Sequence, residues 1–154
     1  VTPQQLFENF ENSFKEKFLD NYMICLADTV FIDKKFVFIP DGEAASRYPI
    51  LNDWNLNSEK QYFNNFISQT KKDIPVILTL TEVANNSFGD SAYYQFDYSL
   101  LVPFQGESES AEYSGTCKFT ICLDRSNKWV ITRWEDIAKA DVPSWSQLKG
   151  KFAN

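Results

Sequence analysis

The sequence predicts an α+β fold, with helices in the first half and a long, mostly antiparallel sheet in the second. Two changes of rhythm carry that expectation. Phe7, Phe10, Phe14, Phe18 and Tyr22 recur every three or four residues, which is the spacing of one helical face. From Ile74 onward the period is two, in four stretches parted by polar turn clusters, as in half-buried strands. Composition agrees: 154 residues with 14 Phe, 7 Tyr and 4 Trp are enough for one domain with a single core.

Taken in order, Thr2 can cap a helix, Pro3 suits its first position and Gln5 completes a capping box. Glu8, Glu11, Lys15 and Glu16 mark the opposite, solvated face. Asp20-Asn21 breaks the pattern and can cap a second short helix over 22–28. A short strand over 35–39 ends at Pro40-Asp41-Gly42, a turn signature. Residues 43–57 lack periodicity and read as an apolar loop or broken strand. Asn57 or Ser58 then caps a third helix, which buries Tyr62, Phe63, Phe66 and Ile67. Strands are expected over 75–85, 92–104, 112–124 and 128–137, joined as a meander. Residues 1–154 form a single domain in this reading, with a core over about 2–138 and a C-terminal tail over 139–154.

The charge balance and residue types exclude several functions. A net charge of −6 with no basic patch argues against nucleic acid as a partner. The chain has no His, which removes Ser-His-Asp and Cys-His catalysis and the usual zinc-protease motif. Cys25, Cys117 and Cys122 form no CxxC pair, so no structural metal or cofactor is expected. Cys117 and Cys122, five apart on one strand, point to opposite faces; Cys25 could reach one of them in an oxidising compartment, or all three are buried thiols. No apolar run is long enough to span a membrane. The start at Val1 rather than Met points to a processed leader or a truncation, and with the polar entry Val1-Thr-Pro-Gln-Gln it resembles a secreted or lipid-anchored bacterial protein with its leader trimmed.

The element order resembles the nuclear transport factor 2-like superfamily, including its SnoaL-like and ketosteroid-isomerase-like branches. Three local patterns carry the resemblance: Tyr22 to Leu26 followed by Phe36-Val-Phe-Ile-Pro40; Asp53-Trp54 with Ser58-Glu59 and Tyr62; and Lys128-Trp-Val-Ile-Thr-Arg-Trp134. It implies three N-terminal helices packed in a strongly bent, mostly antiparallel sheet, a cone or α+β barrel. It also implies a homodimer through the outer sheet face and a ligand pocket inside the cone. The isomerase-like members place a carboxylate base after the first strand, a Tyr on the first helix and an Asp on the penultimate strand. Here those positions hold Pro40, with Asp41 beside it, Phe14 and Phe119, so none matches. Ketosteroid isomerase chemistry is therefore not expected.

The residues left for a site are few. Phe14, Tyr22, Trp54, Tyr62, Tyr98, Phe119, Thr132 and Trp134 would line the cone and hold a small apolar or aromatic ligand. Trp54 would lid that pocket or plug the core beneath its loop. Asp41 and Asp136 are the weak catalytic candidates, with Tyr22 or Tyr98 as proton donor; alternatively Asp136 is a solvated strand-end residue. Asp97 should face a cation, Lys118 or Arg133, across the sheet. Three functions stay open: a non-catalytic dimerising module that holds a ligand, an isomerase-, dehydratase- or cyclase-like enzyme, and an interaction domain whose cone is filled by side chains.

Overall fold

The computed structural model describes residues 2–154; Val1, and the expectation drawn from it, lie outside them. Helix α1 (Pro3–Lys15) starts as expected: Thr2 N–H donates to Gln5 Oε1 at 3.1 Å and Gln5 N–H to Thr2 Oγ1 at 3.2 Å. Lys17, with φ 58°, then turns the chain. Helix α2 (Leu19–Met23) begins earlier than the 22–28 expected and has Phe18 as its N-cap. Phe18 therefore leaves the buried stripe and is exposed, whereas Phe7, Phe10, Phe14 and Tyr22 are buried.

After α2 come β1 (Val37–Ile39), α3 (Gly42–Arg47), a 3₁₀ turn (Pro49–Asp53) and α4 (Leu56–Ser68). The segment 43–57 is thus mainly helical, not a loop or strand. Asp41, read as a turn residue, is the N-cap of α3 and accepts from Ala44 N–H at 2.9 Å. Asn55, two residues before the expected position, caps α4.

Strands β2 (Ile77–Ser87), β3 (Ser91–Val102), β4 (Ala111–Leu123) and β5 (Trp129–Ala138) form the expected meander. The sheet order is β1-β5-β4-β3-β2, with β1 parallel to β5 and the other pairs antiparallel. Two register shifts help bend it. Val83 is the extra residue on β2 and Thr132 the extra residue on β5. The concave face carries Tyr94, Phe96, Tyr98 and Leu100 of β3, Cys117, Phe119 and Ile121 of β4, and Trp134 and Asp136 of β5. Helix α1 lies against it, with Phe7 between Tyr94, Phe96 and Phe119, and Phe10 against Phe119 and Trp134.

Residues 139–154, expected as a tail beyond the core, instead close the cone. They contain α5 (Trp145–Lys151), whose Trp145, Leu148 and Lys149 are fully buried. No helix is long and apolar enough to cross a membrane among the described residues.

Candidate functional site: an interior cage closed by the last helix

A helix of seven residues is too short to persist by itself, so α5 must be held by its surroundings. Ser144 caps it, accepting from Gln147 N–H at 3.2 Å. Two buried carboxylates then pin its first turn. Asp136 Oδ2 accepts from Ser146 N–H at 2.8 Å and from Ser146 Oγ at 2.5 Å, while Asp136 Oδ1 accepts from Tyr98 hydroxyl at 2.7 Å. Tyr98 in turn accepts from Trp145 N–H at 2.7 Å. Asp41 accepts from Ser144 Oγ, and its own N–H donates to Ser146 Oγ at 3.1 Å.

Both catalytic candidates are therefore spoken for. Asp136 is 2 % exposed, not solvated, and both its oxygens accept hydrogen bonds, from Ser146 of α5 and from Tyr98. Burial pushes its carboxyl above the usual range, against the lowering effect of the Ser146 and Tyr98 hydrogen bonds, and nearby Asp41 raises it further. Burial also raises the Tyr98 phenol, with Asp136 adding to the shift.

Deeper along α5, Lys149 enters the cone. Its ammonium donates to Glu59 Oε2 at 2.5 Å, and both side chains are fully withdrawn from solvent. The nitrogen lies 3.4 Å from the ring centre of Trp134, 3.7 Å from that of Phe38 and 5.5 Å from that of Tyr62, a cation–π cage. Glu59, on the first turn of α4, also accepts from Trp54 Nε1 at 2.6 Å and from Tyr22 hydroxyl at 2.5 Å. Burial lowers the Lys149 pKa to about 8, and the Glu59 charge acts the other way. Among the described residues, Trp134 Nε1 is the buried side-chain polar atom without a partner.

Seven of the eight residues expected to line a pocket meet here. Phe14, Tyr22, Tyr62, Tyr98, Phe119 and Trp134 lie inside, and Trp54 roofs them through its bond to Glu59. They pack around the side chains of Trp145 and Lys149. Trp145 sits 4.6 Å from Trp134, 4.8 Å from Tyr98 and 5.7 Å from Phe14, ring centre to ring centre. Its Nε1 donates to Tyr62 hydroxyl at 3.1 Å. Thr132 does not join them: it is the bulge residue, donating to Thr120 carbonyl at 3.1 Å beside Cys122.

Other expectations fall out differently. Asp97 accepts from Thr116 Oγ1 at 3.2 Å rather than facing Lys118 or Arg133, and Arg133 lies 3.9 Å from Glu135. Cys25, Cys117 and Cys122 are free and buried. Among the described residues no group of three His, Cys, Asp or Glu side chains could hold a metal ion.

In the sequence Glu59 stands out only as part of the entry to the third helix, and Lys149, Ser144 and Ser146 not at all. Ser144-Trp-Ser-Gln147 is a helix-start signature, and Trp145 and Leu148 share one helical face, so α5 itself was findable. Lys149 gives no such signal, because lysines are almost never fully buried.

No protein-family model matches the chain, and no curated protein matches it in sequence. Solved structures do resemble it. A protein from Novosphingobium aromaticivorans, provisionally called an aromatic ring hydroxylase, superposes with TM-score 0.68 at 12% identity, over 95% of this chain and 92% of that one. A nuclear transport factor 2-like protein of unknown function from Pseudomonas putida gives 0.60 at 12% identity, over 90% and 84%. A protein of unknown function with a cystatin-like fold from Nostoc punctiforme gives 0.57 at 14%, over 91% and 90%. Likeness at such identities carries architecture and not activity. With its bent five-stranded sheet wrapped around helices, the chain has the nuclear transport factor 2-like cone fold.

Proposed function

We propose that the chain is a non-catalytic interaction module that homodimerises through the outer face of its sheet, its cone filled in cis by α5 in place of a small ligand. The observation that carries this reading is Lys149: its side chain occupies the middle of the expected pocket and closes an ion pair with Glu59 there. What is left to interact is the surface. On the outer sheet face Tyr93, Thr120, Arg133 and Val37 form one cross-strand row, and Gln95, Lys118 and Glu135 the next. Exposed Val37, Ile77, Leu101 and Ile137 flank this polar centre, a mixture suited to a reversible protein interface.

A second reading rests on Asp136 and Tyr98, a buried carboxyl with a raised pKa in hydrogen-bond contact with a phenol, as an acid–base site would have. It requires α5 to leave, since Ser146 and Trp145 occupy the bonds a substrate would need.

Native mass spectrometry of protein from its own host, with light scattering, tests the proposal. A dimer of the sequence mass, with no retained small molecule and no thermal shift from apolar or aromatic compounds, is expected. A stoichiometric small molecule, or a monomer at micromolar concentration, overturns it.

A further inference from the structure

We propose that the space taken by the Lys149 side chain is a recognition site for primary alkylammonium ions, held in the intact chain by its own lysine. The inference rests on the filled-cone reading and names the chemistry of the filled space. An apolar occupant would need apolar walls alone, and a methionine would fit them without the cost of burying a charge. The cone instead supplies a counter-charge and two ring faces aimed at one point. Glu59 Oε2 is 2.5 Å from the nitrogen, and the ring centres of Trp134 and Phe38 are 3.4 and 3.7 Å away.

The counter-charge does not depend on the lysine for its placement. Tyr22 hydroxyl and Trp54 Nε1 each donate to Glu59, at 2.5 and 2.6 Å, from two other parts of the chain. Without Lys149 the carboxylate keeps two fixed donors and lacks a cation. Ring centres this close to the nitrogen leave no room for methyl groups on it, so the site selects a primary ammonium over a quaternary one. Asp136 adds a weaker attraction for positive charge, which with Glu59 opposes the lowering of the lysine's pKa by burial.

Lys149→Ala removes three carbons and the nitrogen, the equivalent of n-propylammonium, which makes the test a rescue. Thermal unfolding of Lys149→Ala is followed with n-propylammonium chloride, tetramethylammonium chloride and 1-propanol. The expected result is a saturable rise in the Lys149→Ala midpoint with propylammonium alone, of about 5 °C or more when the amine is far above its dissociation constant. Wild type and Glu59→Gln/Lys149→Ala should not respond. Equal shifts with propanol or tetramethylammonium, or a shift no larger than that of wild type, overturn the proposal. Should Lys149→Ala not fold alone, refolding yield replaces the midpoint. Recovery with propylammonium above that with sodium chloride of the same strength supports the site, and equal recovery overturns it. Ligand retention by the wild type, which decides the filled-cone reading, is a separate measurement and fails separately.

Discussion

Lys149 and Glu59 meet at 2.5 Å in the centre of the cone, the one on the last helix and the other 90 residues earlier on α4. The pair joins the end of the chain to the helices that open it, and it does so where an uncompensated charge would be most costly. Lys149→Ala should destabilise the protein by about 3–5 kcal/mol, because it leaves Glu59 buried without a cation. Glu59→Gln/Lys149→Met removes both charges and keeps the volume, so it should cost clearly less. Urea unfolding of the three proteins measures the difference.

The Asp136–Ser146 contact predicts where α5 loosens first. Ser146→Ala removes the hydroxyl that donates to Asp136 and accepts from Asp41 N–H. A loss of about 1–3 kcal/mol is expected, the cost of leaving buried partners unpaired. Amide hydrogen exchange should quicken in α5 while β3 and β4 stay protected. Uniformly faster exchange would show that α5 has no separate opening.

Two glycines have no room for a methyl group. At Gly115 a Cβ would lie 2.5 Å from Ile137 carbonyl oxygen and 2.9 Å from Tyr98 hydroxyl, in a paired sheet that cannot yield cheaply. At Gly150 it would run into Tyr48 at Cγ and at Cβ, the latter 2.8 Å away and fixed to the backbone, so turning the ring does not clear it. Gly115→Ala and Gly150→Ala should therefore each lower the unfolding midpoint, and an unchanged midpoint for either variant would contradict this packing.

The lowered pKa of Lys149 gives a signed pH dependence. The unfolded lysine holds its proton up to the ordinary 10.5, the folded one only to about 8, so between these values the unfolded state binds more protons. This group's contribution to stability rises with pH across that window. Cys25, pushed up to about 12 by burial, and the raised Cys117 and tyrosines act with the opposite sign at the upper end. The prediction is therefore differential. From pH 8 to 9.5, wild type should gain on the order of 1 kcal/mol relative to Glu59→Gln/Lys149→Met. Parallel stability curves for the two proteins would contradict it.

Much of this arrangement was legible in the sequence, and the rest was hidden for physical reasons. The period of two located β3 and the middle of β4, where buried and outward residues alternate. The capping box located α1, and the ring residues of the cone were mostly named. Asp41 was misread because Asp-Gly is a turn signal as well as the start of α3. The rule that charges stay in water favours a solvated Asp136 and gives no reason to place Lys149 inside. That rule fails where a distant segment supplies partners, as Ser146 does for Asp136 and Glu59 for Lys149. Such pairings are tertiary facts, with no local pattern to announce them.

Lysine-by-lysine acetylation of the native protein, read by peptide mass spectrometry, tests the filled cone most directly. With its ammonium sealed among Glu59, Trp134 and Phe38, Lys149 should stay unmodified while exposed Lys60, Lys72 and Lys139 react, and should react in denaturant. Acetylation of Lys149 in the folded protein at the rate of Lys60 would contradict the account, because it would place α5 outside the cone.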